Sequence, residues 1–99
     1  MAVVIRLIGL ATGQPSPLDG QYVTDYDPCR DGTAPNGAAM YAYLTSTPDR
    51  DQARRYQDLV AAWNELGRVD QRQPVRPDGK PNRPIGAYSV AIEPAADQP

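Results

Sequence analysis

From Val3 to Leu10 the chain is apolar at nearly every position and rich in β-branched residues. That pattern predicts a central strand covered on both faces. Gln21 to Tyr26 alternates, with Tyr22, Thr24 and Tyr26 on one side, and reads as a second strand. Ala38 to Leu44 mixes helix-favouring Ala and Met with strand-favouring Tyr. Gly37 stands before it and a helix start follows too closely for a second helix, so it reads as a third strand. Met40, Ala42 and Leu44 then face one way, Tyr41 and Tyr43 the other. Ile85 to Glu93 alternates again, with Tyr88, Val90 and Ile92 on one face, and Pro94 ends this last strand.

Between the third and last strands the period changes to that of a helix. Thr47 offers an N-cap hydroxyl, Pro48 fits the first helical position, and Asp49 and Asp51 suit the positive end of the helix dipole. Gly67 offers a C-cap. Ala53, Tyr56, Leu59, Val60, Trp63 and Leu66 fall within an arc of roughly 140°. The spacing predicts one long helix from Thr47 to Arg68 that buries Tyr56 and Trp63 on a sheet. These two rings supply much of the core volume, because the chain has no Phe. The predicted fold is α+β: a small, mostly antiparallel sheet in the order β-β-β-α-β, with the helix on one face. It forms a single domain over residues 1–94, with a disordered tail at 95–99.

The connections are marked by turn formers. Pro15, Pro17 and Asp19-Gly20 interrupt the chain after the first strand, and Asp31-Gly32 and Asn36-Gly37 after the second. The segment from Val69 to Pro84 holds Pro74, Pro77, Pro81 and Pro84, and reads as extended or irregular. It is long for a connection, and such loops are usually functional or mobile.

Composition removes several function classes. The chain has no His and one Cys, so the commonest general base, an internal disulfide and a cysteine zinc cage are excluded. Asp25, Asp27 and Asp31 begin like a calcium loop, but Cys29 and Arg30 stand where an oxygen ligand and a Gly belong. No catalytic residue, metal or cofactor is expected. Cys29 beside Arg30 reads as a bystander. The apolar N-terminal stretch is too short to span a membrane and lacks the features of a secretory signal. A cytoplasmic protein without membrane association is expected.

The net charge of −2 is unevenly spread. Arg72, Arg76, Lys80 and Arg83 give the proline-rich segment a local excess of positive charge over Asp70 and Asp78. An extended basic strap is partly preorganised for an acidic partner. These four residues, with Tyr41 and Tyr43 on the sheet, are the candidate partner-binding set. A protein ranks first as partner and nucleic acid below it, since nothing approaches a strongly basic footprint. A homo-oligomer stays open.

Three stretches carry a resemblance: LATGQPSPLDGQYVTDYDP, TPDRDQARRYQDLVAAWNELGRV and RPDGKPNRPIGAYSVAIEP. Together they resemble small uncharacterised proteins of actinobacteria and actinobacteriophages, over most of the chain. The likeness implies a phage or prophage origin. That family carries no established activity, so no residue role transfers from it. The resulting expectation is a non-enzymatic accessory protein that binds a host or phage macromolecule. A structural or self-assembling phage component, or a weak nucleic-acid binder, stands as the alternative.

Overall fold

The computed structural model describes residues 2–33, 37–40 and 42–95. The fold is α+β. Strands β1 (Val3–Leu10), β2 (Tyr22–Asp27), β5 (Tyr43–Thr47) and β6 (Tyr88–Pro94) form an antiparallel sheet in the order β5-β2-β1-β6. The short strands β3 (Gly32–Thr33) and β4 (Ala39–Met40) make a separate pair. One helix, α1 (Leu59–Leu66), crosses the face on which the larger core lies.

β1 is central, as its continuous apolarity predicts. Val3, Ile5 and Leu7 enter the main core with Leu18, Val23, Tyr26, Leu44, Tyr56, Ala62 and Ile85. Val4 points to the other face, into a smaller cluster with Tyr22 and Ala53. Burying such side chains contributes about 1.5–3 kcal/mol each, so β1 anchors the sheet from both sides. Met40, Ala42 and Leu44 reach the main core, but the single strand predicted from Ala38 to Leu44 is broken: Ala39–Met40 pair with β3, and pairing with β2 begins at Tyr43 and runs on to Thr47. Tyr41, Asn36 of the Asn36-Gly37 turn and the tail residues 96–99 lie outside the described residues. Ala95, assigned to the tail, donates its N–H to the carbonyl of Ala2 at 2.9 Å.

β2 departs from simple alternation. Its register against β5 shifts between Val23 and Asp25, so a bulge inserts one residue and reverses the side-chain parity. Tyr22 therefore belongs to the smaller cluster and Tyr26 to the larger, on opposite faces.

The helix is much shorter than the pattern predicts, and the reason lies in β1 and β2. The two strands pair at Arg6 and Tyr22 and then splay. The segment before α1 runs extended into the gap. Arg54 donates its N–H to the carbonyl of Val23 at 3.0 Å, and Tyr56 exchanges two backbone hydrogen bonds with Val3 at 2.8 and 3.0 Å. Coiling this segment into a helix would leave Val3 unpaired inside the protein, at about 1–3 kcal/mol per buried polar group. Helix propensity is worth only a few tenths of a kcal/mol per residue. The sheet bonds prevail, and Ala53 and Tyr56 alternate into the two clusters as strand residues do. Pro48 and Asp49 lead only into a 3-10 turn over Arg50–Gln52. The helix begins instead at Asp58, whose carboxylate accepts from the N–H of Ala61 at 2.9 Å.

This late start rotates the apolar stripe. Ala62 faces the core, fully buried, while Leu59, Val60 and Trp63 are 59, 65 and 68% exposed. Tyr56 is buried as expected, and the expectation for Trp63 is overturned. Ile85 is also buried, but in a 3-10 turn over Pro84–Ala87 rather than in the last strand, and its N–H donates to the Tyr26 hydroxyl at 3.1 Å. Burial of the Tyr26 ring raises its pKa.

Candidate functional site

The proline-rich segment is a built hairpin rather than an irregular strap. Arg76 and Lys80 close a turn in which Gly79 adopts φ +84° and donates its N–H to Arg76 at 2.9 Å. Arg76 donates to the carbonyl of Lys80 at 2.8 Å. A three-residue hairpin loop with Gly in the left-handed region has this pattern, and Pro77-Asp78-Gly79 supplies the residues for it. Below the turn, Asn82 donates to Pro74, Asp70 donates to Asn82, and the Asn82 side-chain amide donates to Gln73.

The base of the hairpin is fixed to the loop after β2. Asp70 is buried, and its carboxylate accepts from the backbone and side chain of Arg72. The same guanidinium reaches Asp31 at 2.7 Å and the carbonyl of Pro28. The guanidinium holds the Asp70 carboxyl below its ordinary range, and the two acids push the Arg72 pKa up. Beside this clamp the Cys29 sulfur accepts from the N–H of Gln71 at 3.3 Å and donates to the carbonyl of Val69 at 3.8 Å. Arg72 is thus a structural tie: it stays exposed, but its guanidinium is committed to two acids.

Of the remaining members of the predicted set that are described, Arg76, Lys80 and Arg83 line one cleft and Tyr43 stands apart from it. Arg76 pairs with Asp78 at 3.0 Å on the hairpin itself. Lys80 and Arg83 form no ion pair among the described residues. Tyr43 is half-buried, with the Arg30 guanidinium 4.2 Å from its ring centre, and it lines none of the clefts described below. The three calcium-like acids are occupied by arginines: Asp25 by Arg54 at 3.8 Å, Asp27 by Arg68 at 3.8 Å and Asp31 by Arg72. No group of three or more His, Cys, Asp or Glu that could hold a metal occurs among the described residues.

Three clefts surround the hairpin and the turn before β6. The first, ≈ 630 Å³, has Met40, Ala42 and Tyr88 in its lining and Arg76 and Pro77 on its wall. The second, ≈ 430 Å³, lies between α1 and β6, lined by Trp63, Leu66, Ile85, Tyr88 and Val90, with Arg83 as its charged member. The third, ≈ 560 Å³, is bounded by Arg76, Lys80, Arg83 and Pro84. Tyr88 is shared by the first two and Arg83 by the last two. Its half-buried ring carries a raised pKa through burial.

Sequence reasoning missed Trp63 and the groove beneath it. The pattern carried no signal for it: Trp63 lies near the centre of the apolar stripe, and Ala62, the residue that faces the core, lies outside the stripe about 40° beyond Leu66. Trp, Tyr and Arg are the side chains most enriched where proteins bind one another, and Trp63, Tyr88 and Arg83 stand round one groove. No helix among the described residues is long and apolar enough to cross a membrane. Compared with protein-family models, curated proteins and solved structures, the chain matches none.

Proposed function

We propose that this chain is a non-enzymatic accessory protein, encoded by a phage or prophage, that binds another protein through the hairpin at residues 70–84. The observation that carries the reading is the placement of Lys80 and Arg83. They form no ion pair among the described residues and line a cleft that shares Arg76, Asn82, Pro84 and Ala87 with the one lined by Met40, Ala42 and Tyr88. An acidic segment bearing a large apolar side chain is complementary to such a surface. The cations steer its approach, and the pre-folded hairpin lowers the ordering entropy of binding. The non-enzymatic part rests on the acids: Asp25, Asp27, Asp31 and Asp70 are each held by an arginine, so none stands ready as a base. The phage or prophage origin rests on the resemblance alone.

The test is capture from a host lysate by the wild-type chain and by a Lys80→Ser, Arg83→Ser double variant. The variant should fold normally, because exposed charges contribute little to stability. It should lose the captured protein, most clearly at low salt. Equal capture by both chains refutes the site. Salt-sensitive retention of duplex DNA in place of a protein would transfer the surface to nucleic acid.

A further inference from the structure

The outer edge of β6 and the outward side of α1 form a second surface, which adjoins the hairpin's cationic cleft at Arg83. The direction of the β6 backbone follows from β1. Val3 exchanges both its backbone bonds with Tyr56, and Leu7 exchanges both with Gln21 and Gly20. Both residues therefore point away from β6. Successive strand residues point their backbone groups to opposite sides, so Val4 and Arg6 face β6 and bond its Glu93 and Ala91. Val90 and Ile92 then direct N–H and C=O outward, where β6 is the edge strand of the sheet. The open stretch is bounded at both ends. Pro94 has no N–H to offer, and Tyr88 donates its own to Ile85. Between those ends no lysine, proline or outward bulge guards the edge against pairing.

We propose that two copies of the chain join here. β6 pairs antiparallel with β6 of the second copy about a two-fold axis at Ala91, which merges the two four-stranded sheets into one. Three observations favour a second copy. The open backbone groups flank Ala91 symmetrically, so Val90 of each copy bonds Ile92 of the other. In that register Glu93 lies opposite Ser89 of the second copy, so no acid faces an acid, and Glu93 is already balanced by Arg6 and Arg50. Pro94 falls opposite Tyr88 of the second copy, so the two positions without a free donor meet.

The outward side of α1 adds apolar area. Val90 and Ile92 side chains lie on the face that carries α1, and Trp63 and Val90 line one groove. Pairing the edges therefore brings the two exposed helix sides together. Leu59, Val60 and Trp63 expose roughly 400 Å² between them, as large as the main apolar patch of a typical monomer. The β6 side chains from Tyr88 to Glu93 are already half-buried, so the paired edge contributes backbone hydrogen bonds more than area, and each copy buries less than the roughly 800 Å² of a standard complex. Isologous pairing of this kind is the commonest symmetry of soluble oligomers.

Sedimentation analysis from low to high micromolar protein tests the proposal directly. The wild-type chain should reach the mass of a dimer. Trp63→Ser and Val90→Pro should each weaken association at least tenfold while far-ultraviolet circular dichroism stays unchanged. Trp63→Ser removes an exposed ring, and Val90→Pro removes an outward N–H that the monomer does not use. Should Val90→Pro fail to fold, Trp63→Ser decides. A wild-type chain that stays monomeric overturns the proposal and leaves the face to a different protein. A dimer untouched by the variants overturns it as well, since the copies then meet elsewhere.

Discussion

Replacing Tyr56 by Phe tests the packing beneath the helix more sharply than removing the ring. The Tyr56 side chain is 6% exposed and packs in the main core. Its hydroxyl is buried and finds no hydrogen-bond partner among the described residues. Burial chiefly, helped by Glu65, pushes its pKa up from 10.0 to about 12. Near neutrality Tyr56→Phe keeps the ring and removes an unsatisfied polar atom, so stability should be unchanged or raised by up to about 1 kcal/mol. Alkali adds a second signature. The folded pKa lies above the unfolded one, so the unfolded chain loses its proton first. Stability is complete below about pH 10 and is lost as the pH rises towards 12. A shift of two units corresponds to about 2.7 kcal/mol in full, and to about 1.4 kcal/mol at pH 11. The variant lacks this part of the slope, so its advantage over the wild type should grow by that amount between pH 7 and pH 11. Urea unfolding of both chains at the two values measures it. A variant destabilised by more than about 2 kcal/mol at pH 7 would refute the reasoning, because the hydroxyl must then be bonded. So would an unchanged difference at pH 11.

Other substitutions probe other parts of the fold. Trp63→Ala should change the stability of dilute protein by no more than about 0.5 kcal/mol, against about 3–5 kcal/mol for a core Trp; thermal unfolding separates the two. Gly32→Ala should cost about 1–3 kcal/mol in chemical unfolding, because its Cβ would lie 2.8 Å from the carbonyl oxygen of Ala42 and 3.0 Å from the Cα of Tyr43. The Asp70 carboxyl is held below its ordinary value of 3.8 by the Arg72 guanidinium. Its contribution is therefore complete above that pH and lost as the pH falls through the folded pKa, and Asp70→Asn should flatten the acid limb of the stability curve. A variant limb as steep as the wild type's would mean that the Arg72 clamp is not formed in solution.

The strands were legible because their periods are set by burial on β1 and on one face of β5 and β6. β1 is covered on both faces, as its continuous apolarity predicts, and Leu44, Val90 and Ile92 lie on the faces that alternation assigns them. The helix boundary was not legible. Thr47, Pro48 and Asp49 form a sound local start signal, and nothing nearby in the sequence reveals that β1 and β2 splay to receive Ala53 and Tyr56. Only contacts distant along the chain decide that. The Tyr22 and Tyr26 faces were misread for a related reason, since a bulge of one residue reverses parity and leaves no mark in composition. Of the candidate binding residues, Arg76, Lys80 and Arg83 line clefts. Arg72 does not, because Asp31 reaches it from a loop distant in sequence. The Pro77-Asp78-Gly79 turn was written in the sequence, but four prolines were read as a sign of irregularity.

Both proposed surfaces depend on the path between Thr47 and Asp58, because that path sets which side of α1 faces out. Backbone chemical shifts and amide exchange by nuclear magnetic resonance report it directly. Arg54 to Tyr56 should show extended shifts, with a slowly exchanging Tyr56 N–H bonded to Val3. Helical shifts should be confined to Leu59–Leu66 and the short turn at Arg50–Gln52. An unbroken helical run from Pro48 through Leu66, with Trp63 ring contacts to Ile5 and Leu7, would contradict the account and return Trp63 to the core.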